Sequence, residues 1–366
     1  MLLEKAHYPR PKLCAGGLVV DAEVILEGLG LDVSEVPHVD ASTAHLDFAG
    51  KGLTVSVPER HTLRIVRRDE FDAWLAKKAR EAGIEIREGV TVRDIRPDEE
   101  GVSVVTDQGD FRAQVVVVVG ADGSNGITRR CVLPNAPVHT ARLLEVLTPT
   151  RPSGSLPHFP RTPAENEGGL GRGPGAYFDF FPVPEGIAGY VWDFPTQVGG
   201  QPMRCWGVYD TNLLSRKQRP ALKAPLAAEM ARHGLDLNQY ELKGHPIRWY
   251  SPRGPVSVPR VLLVGDAVGA DGIFGEGISM ALGYGKVAAG ELVKAFSAGD
   301  FSFSGYKRRL TRSALGRTLF VRWAITRILY RLHWTWFQKW FWHFWKPVIL
   351  AFSWVFVLNW GKRLKD

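Results

Sequence analysis

Two stretches of this 366-residue chain end an apolar run in small residues and an acid, a pattern that can hold a nucleotide-like ligand. The first is Val261-Leu262-Leu263-Val264-Gly265-Asp266-Ala267, followed by Gly275-Glu276-Gly277-Ile278. A buried strand that delivers Asp266 at its carboxyl end puts a carboxylate where ligands bind in open α/β sheets. That carboxylate can accept hydrogen bonds from ribitol or ribose hydroxyls. Gly275 and Gly277 let backbone approach a ligand, and the helix they open aims its first amides at it. The plainer reading is a strand–turn–helix with a capping acid, but the two parts together favour a ligand site. The second stretch runs from Val115 to Val119 into Gly120-Ala121-Asp122-Gly123-Ser124. Here a tight Asp-Gly turn competes with the ligand reading. A third candidate is Arg67-Arg68, either a solvated basic pair or a guanidinium for phosphate.

These residues need strands and helices to position them. Asp69 is expected to cap a helix over residues 69–82 that carries Phe71, Trp74, Leu75 and Ala79 on one face. Ile84-Glu85-Ile86 alternates like a strand. Val102–Thr106 and Phe111–Val119 flank the turn Asp107-Gln108-Gly109-Asp110. The continuous run Val115–Val119 reads as a strand buried on both faces. Arg260–Val264 is a second buried strand, and residues 276–297 form a long helix. Residues 150–175 read as loop, and residues 176–209 as short aromatic strands. Strand–helix units around an aromatic β segment predict an α/β nucleotide-binding domain with a β-rich insertion.

Composition bounds the rest. With 45% apolar and 23% charged residues the chain is globular. Its three cysteines, Cys14, Cys131 and Cys205, include no CxxC pair, so neither a disulfide framework nor a metal site is expected. The +8 net charge is unevenly spread. Residues 301–366 hold 13 Lys and Arg against Asp366, whereas the remainder holds 33 basic and 37 acidic residues. Eight of the 12 tryptophans also fall after residue 320: Trp323, Trp334, Trp336, Trp340, Trp342, Trp345, Trp354 and Trp360. Pro347–Trp360 carries no charge over 14 residues, short of the ~20 that span a bilayer. Residues 301–366 are therefore expected to form a basic helical tail lying at a membrane surface, interfacial or re-entrant. Nucleic acid, the other partner of basic and aromatic residues, is disfavoured by that uncharged run. A helical dimer interface is the bland alternative. Deleting residues 317–366 is expected to leave a soluble protein.

Together these stretches resemble the flavoproteins with the hydroxybenzoate-hydroxylase type of FAD fold, in the geranylgeranyl reductase branch. The matching residues are Glu4 with Pro11-Lys12-Leu13-Cys14-Ala15-Gly16-Gly17; Arg68 with Phe71-Asp72 and Leu75; Gly120–Ser124; and Gly265-Asp266-Ala267 through Ile278. Tyr190-Val191-Trp192-Asp193-Phe194-Pro195 resembles the branch's Tyr-x-Trp-x-Phe-Pro motif, which lines the prenyl cavity. The likeness spans roughly residues 1–300.

The resemblance implies an FAD domain over residues 1–140 and 255–300, interrupted by a β-rich substrate domain over 141–254. It implies that Glu4, Cys14, Ala15, Gly17, Arg68, Ala121, Asp122, Gly265, Asp266, Gly275, Gly277 and Ile278 hold FAD. Tyr190, Trp192, Phe194 and Trp206 would line an apolar slot. Cys14 is a candidate proton donor or positioning residue, against its commoner role as a small buried hydrophobe. NADPH or ferredoxin would reduce the flavin, which would then pass a hydride to an isolated prenyl double bond. Two alternatives are an O₂-using flavin monooxygenase on the same fold and a flavin-free, membrane-bound interaction protein. One departure is plain: the family opens on strand–GxGxxG–helix, and this sequence holds no GxGxxG. The chain is thus expected to lack the first βα unit, through truncation or a misassigned start. Asp122 and Asp266 are expected on opposite sides of one flavin-shaped cleft.

Overall fold

The computed structural model of the chain describes residues 1–48, 51–57, 59–111, 117–150, 175–214, 220–354 and 358–364. The expectations for residues 112–116, most of the 150–175 loop, and residues 355–357 and 365–366 of the tail lie outside the described residues.

The N-terminal third runs β1 (Leu2–Glu4), β2 (Gly17–Leu18), α1 (Val20–Glu27), β3 (His38–Ala41), β4 (Thr43–Phe48), β5 (Lys51–Ser56), β6 (Leu63–Val66) and α2 (Arg68–Glu81). Next come β7 (Ile86–Glu88), β8 (Val92–Pro97), β9 (Val102–Thr106), β10 (Gly109–Phe111), β11 (Val118–Gly120) and α3 (Ile127–Val132). The middle holds β12 (Thr140–Pro149), β13 (Ala176–Asp179), β14 (Gly189–Val198), β15 (Gln201–Asp210), α4 (Lys223–Arg232) and β16 (Lys243–Arg248). The C-terminal part holds β17 (Ser257–Val258), β18 (Val261–Leu263), α5 (Ile278–Ala298), α6 (Tyr306–Arg312), α7 (Ala314–Leu329), α8 (Thr335–Phe344) and α9 (Lys346–Phe352).

One lobe is α/β. β1 pairs in parallel with β7, and β11 pairs in parallel with β18. The other lobe is a seven-stranded sheet in the order β16-β12-β15-β14-β13-β4-β5. Its centre is the β14–β15 hairpin, closed by Gly199-Gly200, both at positive φ, the turn geometry that matches strand twist. The helix expected over 276–297 is α5. Gly299 ends it in the left-handed conformation, φ 65°, a glycine C-terminal signal. The expected helix over 69–82 is α2, although it starts at Arg68 and Asp69 does not cap it.

Four expectations are corrected. First, the lobes do not divide at residue 140. β4 and β5 join the seven-stranded sheet because β13 pairs in parallel with β4, so the N-terminal third contributes to both lobes. Second, β11 is not buried on both faces. Val119 is 41% exposed, and Val118 before it is only half-buried. Third, Ile84 is exposed and the strand begins at Ile86.

The fourth concerns the tail, which is not an appendage. Tyr306, Leu310, Leu315 and Leu319 sit in one core with β18 and α5, and Tyr330 and Trp342 sit in the core of the large sheet. Trp360 is fully buried against Gly283 of α5, and the Gly361 amide donates to Asp21 of α1 over 2.8 Å. Deleting residues 317–366 would open both cores. The exposed rings of the tail are concentrated on α8–α9 and its flanks, where Trp336 is 67% and Trp354 57% exposed, with Phe320 of α7 also at the surface. Among the described residues no helix is long and apolar enough to cross a membrane.

Candidate active site

A cavity of about 1470 Å³ lies between the lobes. It is larger than the ~300–1,000 Å³ usual for one small ligand, and so has room for a cofactor and a substrate together.

One end is made of backbone turns and ions. The antiparallel β2–β6 pair sets Gly17 opposite Ile65, which brings the Cys14–Gly17 loop beside the Arg67-Arg68 start of α2. Gly16 sits at φ 76°, and a Cβ there would lie 1.9 Å from the Val66 carbonyl, so only glycine fits. The Gly16 amide donates to Cys14 Sγ over 3.4 Å, and that thiol lies against the Arg68 guanidinium. Arg68 donates from Nε and Nη2 to Asp72 over 2.9 and 3.1 Å. Asp266 faces the same space from the end of β18. Burial pushes its carboxyl up, opposed by the positive charges of Lys12, Arg68 and His245. Gly275, Gly277 and Ile278 close this end at the start of α5.

The α5 entrance is held from the tail. Buried Arg322 of α7 contacts Asp271 at 3.1 Å and Glu276 at 3.5 Å. Asp271 accepts from the Ile273 and Phe274 amides over 2.9 and 3.1 Å, and Glu276 from Ser279 N and Oγ over 2.8 and 2.7 Å. The tail therefore shapes the turn that carries Gly275 and Gly277.

The other end is a chamber of rings on the large sheet. Phe178 meets Phe194 edge-on at 4.9 Å between centroids, and Tyr190 at 5.3 Å. Trp192, Leu46 and Val55 line it too, and Ile349 and Leu350 of α9 reach it from the tail. The Tyr190 hydroxyl donates to the Phe274 carbonyl, tying the chamber to the α5 entrance. Burial holds that phenol well above its ordinary range.

The expected site residues separate cleanly. Cys14, Ala15, Gly17, Arg68, Ala121, Gly265, Asp266, Gly275, Gly277 and Ile278 line the cavity, as do Tyr190, Trp192 and Phe194. Asp122 does not. Its Oδ2 accepts from Thr128 N at 2.8 Å and Thr128 Oγ1 at 2.9 Å, so it satisfies the first turn of α3; its neighbours Ala121 and Gly123 line the cavity with Asp266, but the Asp122 carboxylate does not face Asp266 across it. Glu4 is also elsewhere: its carboxylate accepts from Ala6 N and Arg10 Nε, both at 3.1 Å. Trp206 lies on the opposite face of the sheet, packed with Val146, Val208 and Leu226, because its neighbour Cys205 faces inward and successive strand residues alternate.

Sequence reasoning missed Lys12, His245, Glu145 and Arg322. Glu145 had a legible signal, an acid on the Ala141–Leu143–Leu147 face of a strand. Arg322 and His245 are brought in by tertiary packing and had none.

The Cys14–Gly17 loop, Asp266 and the Gly275–Ile278 turn fit the ring and ribityl half of a flavin. They supply close backbone, a carboxylate for hydroxyls and a helix start. The phosphate half has no GxGxxG to seat it in this sequence.

The fold is the one seen in flavin-dependent enzymes of known structure. No family model matches the chain. Among curated proteins it is 27% identical over 316 residues to an uncharacterised protein of Methanosarcina barkeri, covering 86% of this chain and 73% of that one. It is also 27% identical over 325 residues to the menaquinone reductase of Mycolicibacterium smegmatis, covering 82% and 72%. Among solved structures it resembles a geranylgeranyl bacteriochlorophyll reductase-like protein from Thermoplasma acidophilum, with TM-score 0.68, 20% identity, and 90% and 81% of the two chains covered. It also resembles the halogenase PltM, with TM-score 0.72, 14% identity, and 98% and 76% covered. A variant of that halogenase is solved in complex with FAD. The flavin-dependent brominase Bmp2 gives TM-score 0.65 at 18% identity, with 99% and 87% covered. These likenesses show the fold.

Proposed function

We propose that this chain is an FAD-dependent reductase of isolated C=C bonds in a prenyl lipid. The observation that carries this is the single cavity with a glycine- and ion-lined end and an aromatic end. When bound, FAD supplies the hydride chemistry. The protein holds Asp266 toward the ribityl chain and keeps water from the ring-lined chamber. An apolar chain suits rings with few polar groups. The menaquinone reductase relative supports a prenyl-bearing substrate, since menaquinone is a quinone with a prenyl tail. NADPH or a ferredoxin supplies the electrons.

The substrate's solubility supports the second part of the reading. The exposed rings of α8–α9 lie beside Ile349 and Leu350, which line the cavity, and 13 basic residues lie in the same C-terminal stretch. We place this face on the cytoplasmic surface of an anionic membrane, from which the lipid enters the chamber.

The test is anaerobic. The FAD-loaded protein is reduced with dithionite, and geranylgeraniol in detergent micelles is added. Reoxidation of the flavin with a gain of two hydrogens per reduced double bond supports the reading. The shared fold of the halogenases keeps a monooxygenase as the competitor; no anaerobic reoxidation, with substrate-dependent oxygen uptake when the assay is repeated in air, would favour it.

A further inference from the structure

Glu145 is a buried acid that the flavin cradle does not use. It stands on β12 with 4% of its surface exposed, on the inward face shared with Ala141 and Leu143, and it lines the cavity at the aromatic end. Its Oε2 has no hydrogen-bond partner. The residue paired with it on β15 is Gly207, where a Cβ would strike the Trp192 ring at 2.0 Å, so Trp192 fills that place beside the carboxyl. A buried carboxyl oxygen left without a hydrogen bond destabilises the fold, so its presence there needs a reason.

We propose that Glu145 is the proton donor of the reductive step, delivering its proton to one carbon of the prenyl double bond while the other carbon receives the hydride. This inference rests on the prenyl-reductase reading. The π bond breaks and two C–H bonds form. The flavin is oxidised by two electrons, and the carboxylate left on Glu145 takes a proton from solvent as product leaves.

The competing acids at this end are committed. Tyr190 donates to the Phe274 carbonyl and Tyr209 to the Gly272 carbonyl, and burial holds both phenols well above their ordinary range. The Cys205 thiol, which contacts Glu145, is also pushed well above its range by burial. Burial pushes Glu145 up to about 7, with the charges of Arg67 and Lys243 and the Cys205 thiol opposing. A carboxyl so placed is protonated yet able to let its proton go near neutral pH. Arg67 precedes α2 and Lys243 pairs across β16, so no carboxylate faces Glu145 among the groups that act on it.

The test compares wild type, Glu145→Gln and Glu145→Asp as full chains loaded with FAD. Infrared difference spectra across pH should show a carboxylic acid C=O band titrating near 7 in wild type and missing from E145Q. Flavin binding and dithionite reduction should be unchanged. Anaerobic reoxidation by geranylgeraniol micelles should slow about 100-fold or more in E145Q, with partial recovery in E145D. If wild type turns over and E145Q keeps pace, Glu145 is not the donor. If the band is absent at neutral pH, or E145Q loses its flavin, the assignment is equally overturned. If wild type itself is not reoxidised, the prenyl-reductase reading fails first, and the infrared titration still reports whether the acid holds its proton.

Discussion

At the Cys14–Asp266 end of the cavity, turns bring backbone and charges to the surface; at the Tyr190–Phe194 end, paired strands bring rings. The ionic end is assembled from four separate segments, the 12–17 loop, the start of α2, the end of β18 and the start of α5. The aromatic end is largely one hairpin read at every second residue, joined by β12, β13 and the tail. Loops place a ligand-binding group by conformation, so few substitutions are tolerated at each. Strands place a wall by periodicity, so packing volume is what each position guards.

The largest effect expected is on the strand side. Trp192→Ala empties a buried ring and should cost about 3–5 kcal/mol in denaturant unfolding, whereas Trp206→Ala should cost as much without changing substrate binding, since it faces away. A result in which W206A alters turnover at equal folded fraction would break the two-face account.

Next is pH. The folded-state value of Glu145, about 7, lies above the ordinary carboxyl value of 4.5, so the native protein binds more proton between them. Stability should therefore fall as pH rises from 4.5 to about 7, by up to ~3 kcal/mol, and level off above. E145Q should lack that slope.

A sharper comparison lies within the ionic end. Asp266 and Asp122 each follow a strand of one parallel pair, yet one faces the cavity and the other serves α3. Asp266→Ala should weaken FAD binding about 10- to 100-fold. Asp122→Ala should leave FAD binding alone and cost about 1 kcal/mol of stability, the worth of a helix-start cap.

The smallest stability change is expected at the surface. Trp336→Ser and Trp354→Ser should alter unfolding by about 0.5 kcal/mol or less. They should nonetheless weaken binding to vesicles containing phosphatidylglycerol, read by co-sedimentation.

Much of this architecture was legible in the sequence because it rests on local patterns. The runs before Asp266 and across residues 176–209, and the glycines at 275 and 277, marked β18, the β character of the 176–209 segment and the start of α5, although the expected short strands there include the two ten-residue strands β14 and β15. What misled were patterns with two physical outcomes. Asp-Gly after a strand serves a ligand or a turn, and only Thr128, six residues on, decides for Asp122. Basic and aromatic residues serve a membrane or a core, and Trp342 and Trp360 are core while Trp336 and Trp354 are surface. The join of β13 to β4 links residues more than 120 apart, and Arg322 reaches Asp271 across 51 residues, from helix to loop. No spacing rule reports contacts of that kind.

The most direct measurement is the visible absorption of the purified full chain, titrated with FAD, alongside its Asp266→Ala and Asp122→Ala variants. A bound-flavin spectrum in wild type and in D122A, lost or much weakened in D266A, is the predicted result. A wild type that holds no flavin, or a D122A variant as impaired as D266A, would contradict the placement of the cofactor at Asp266.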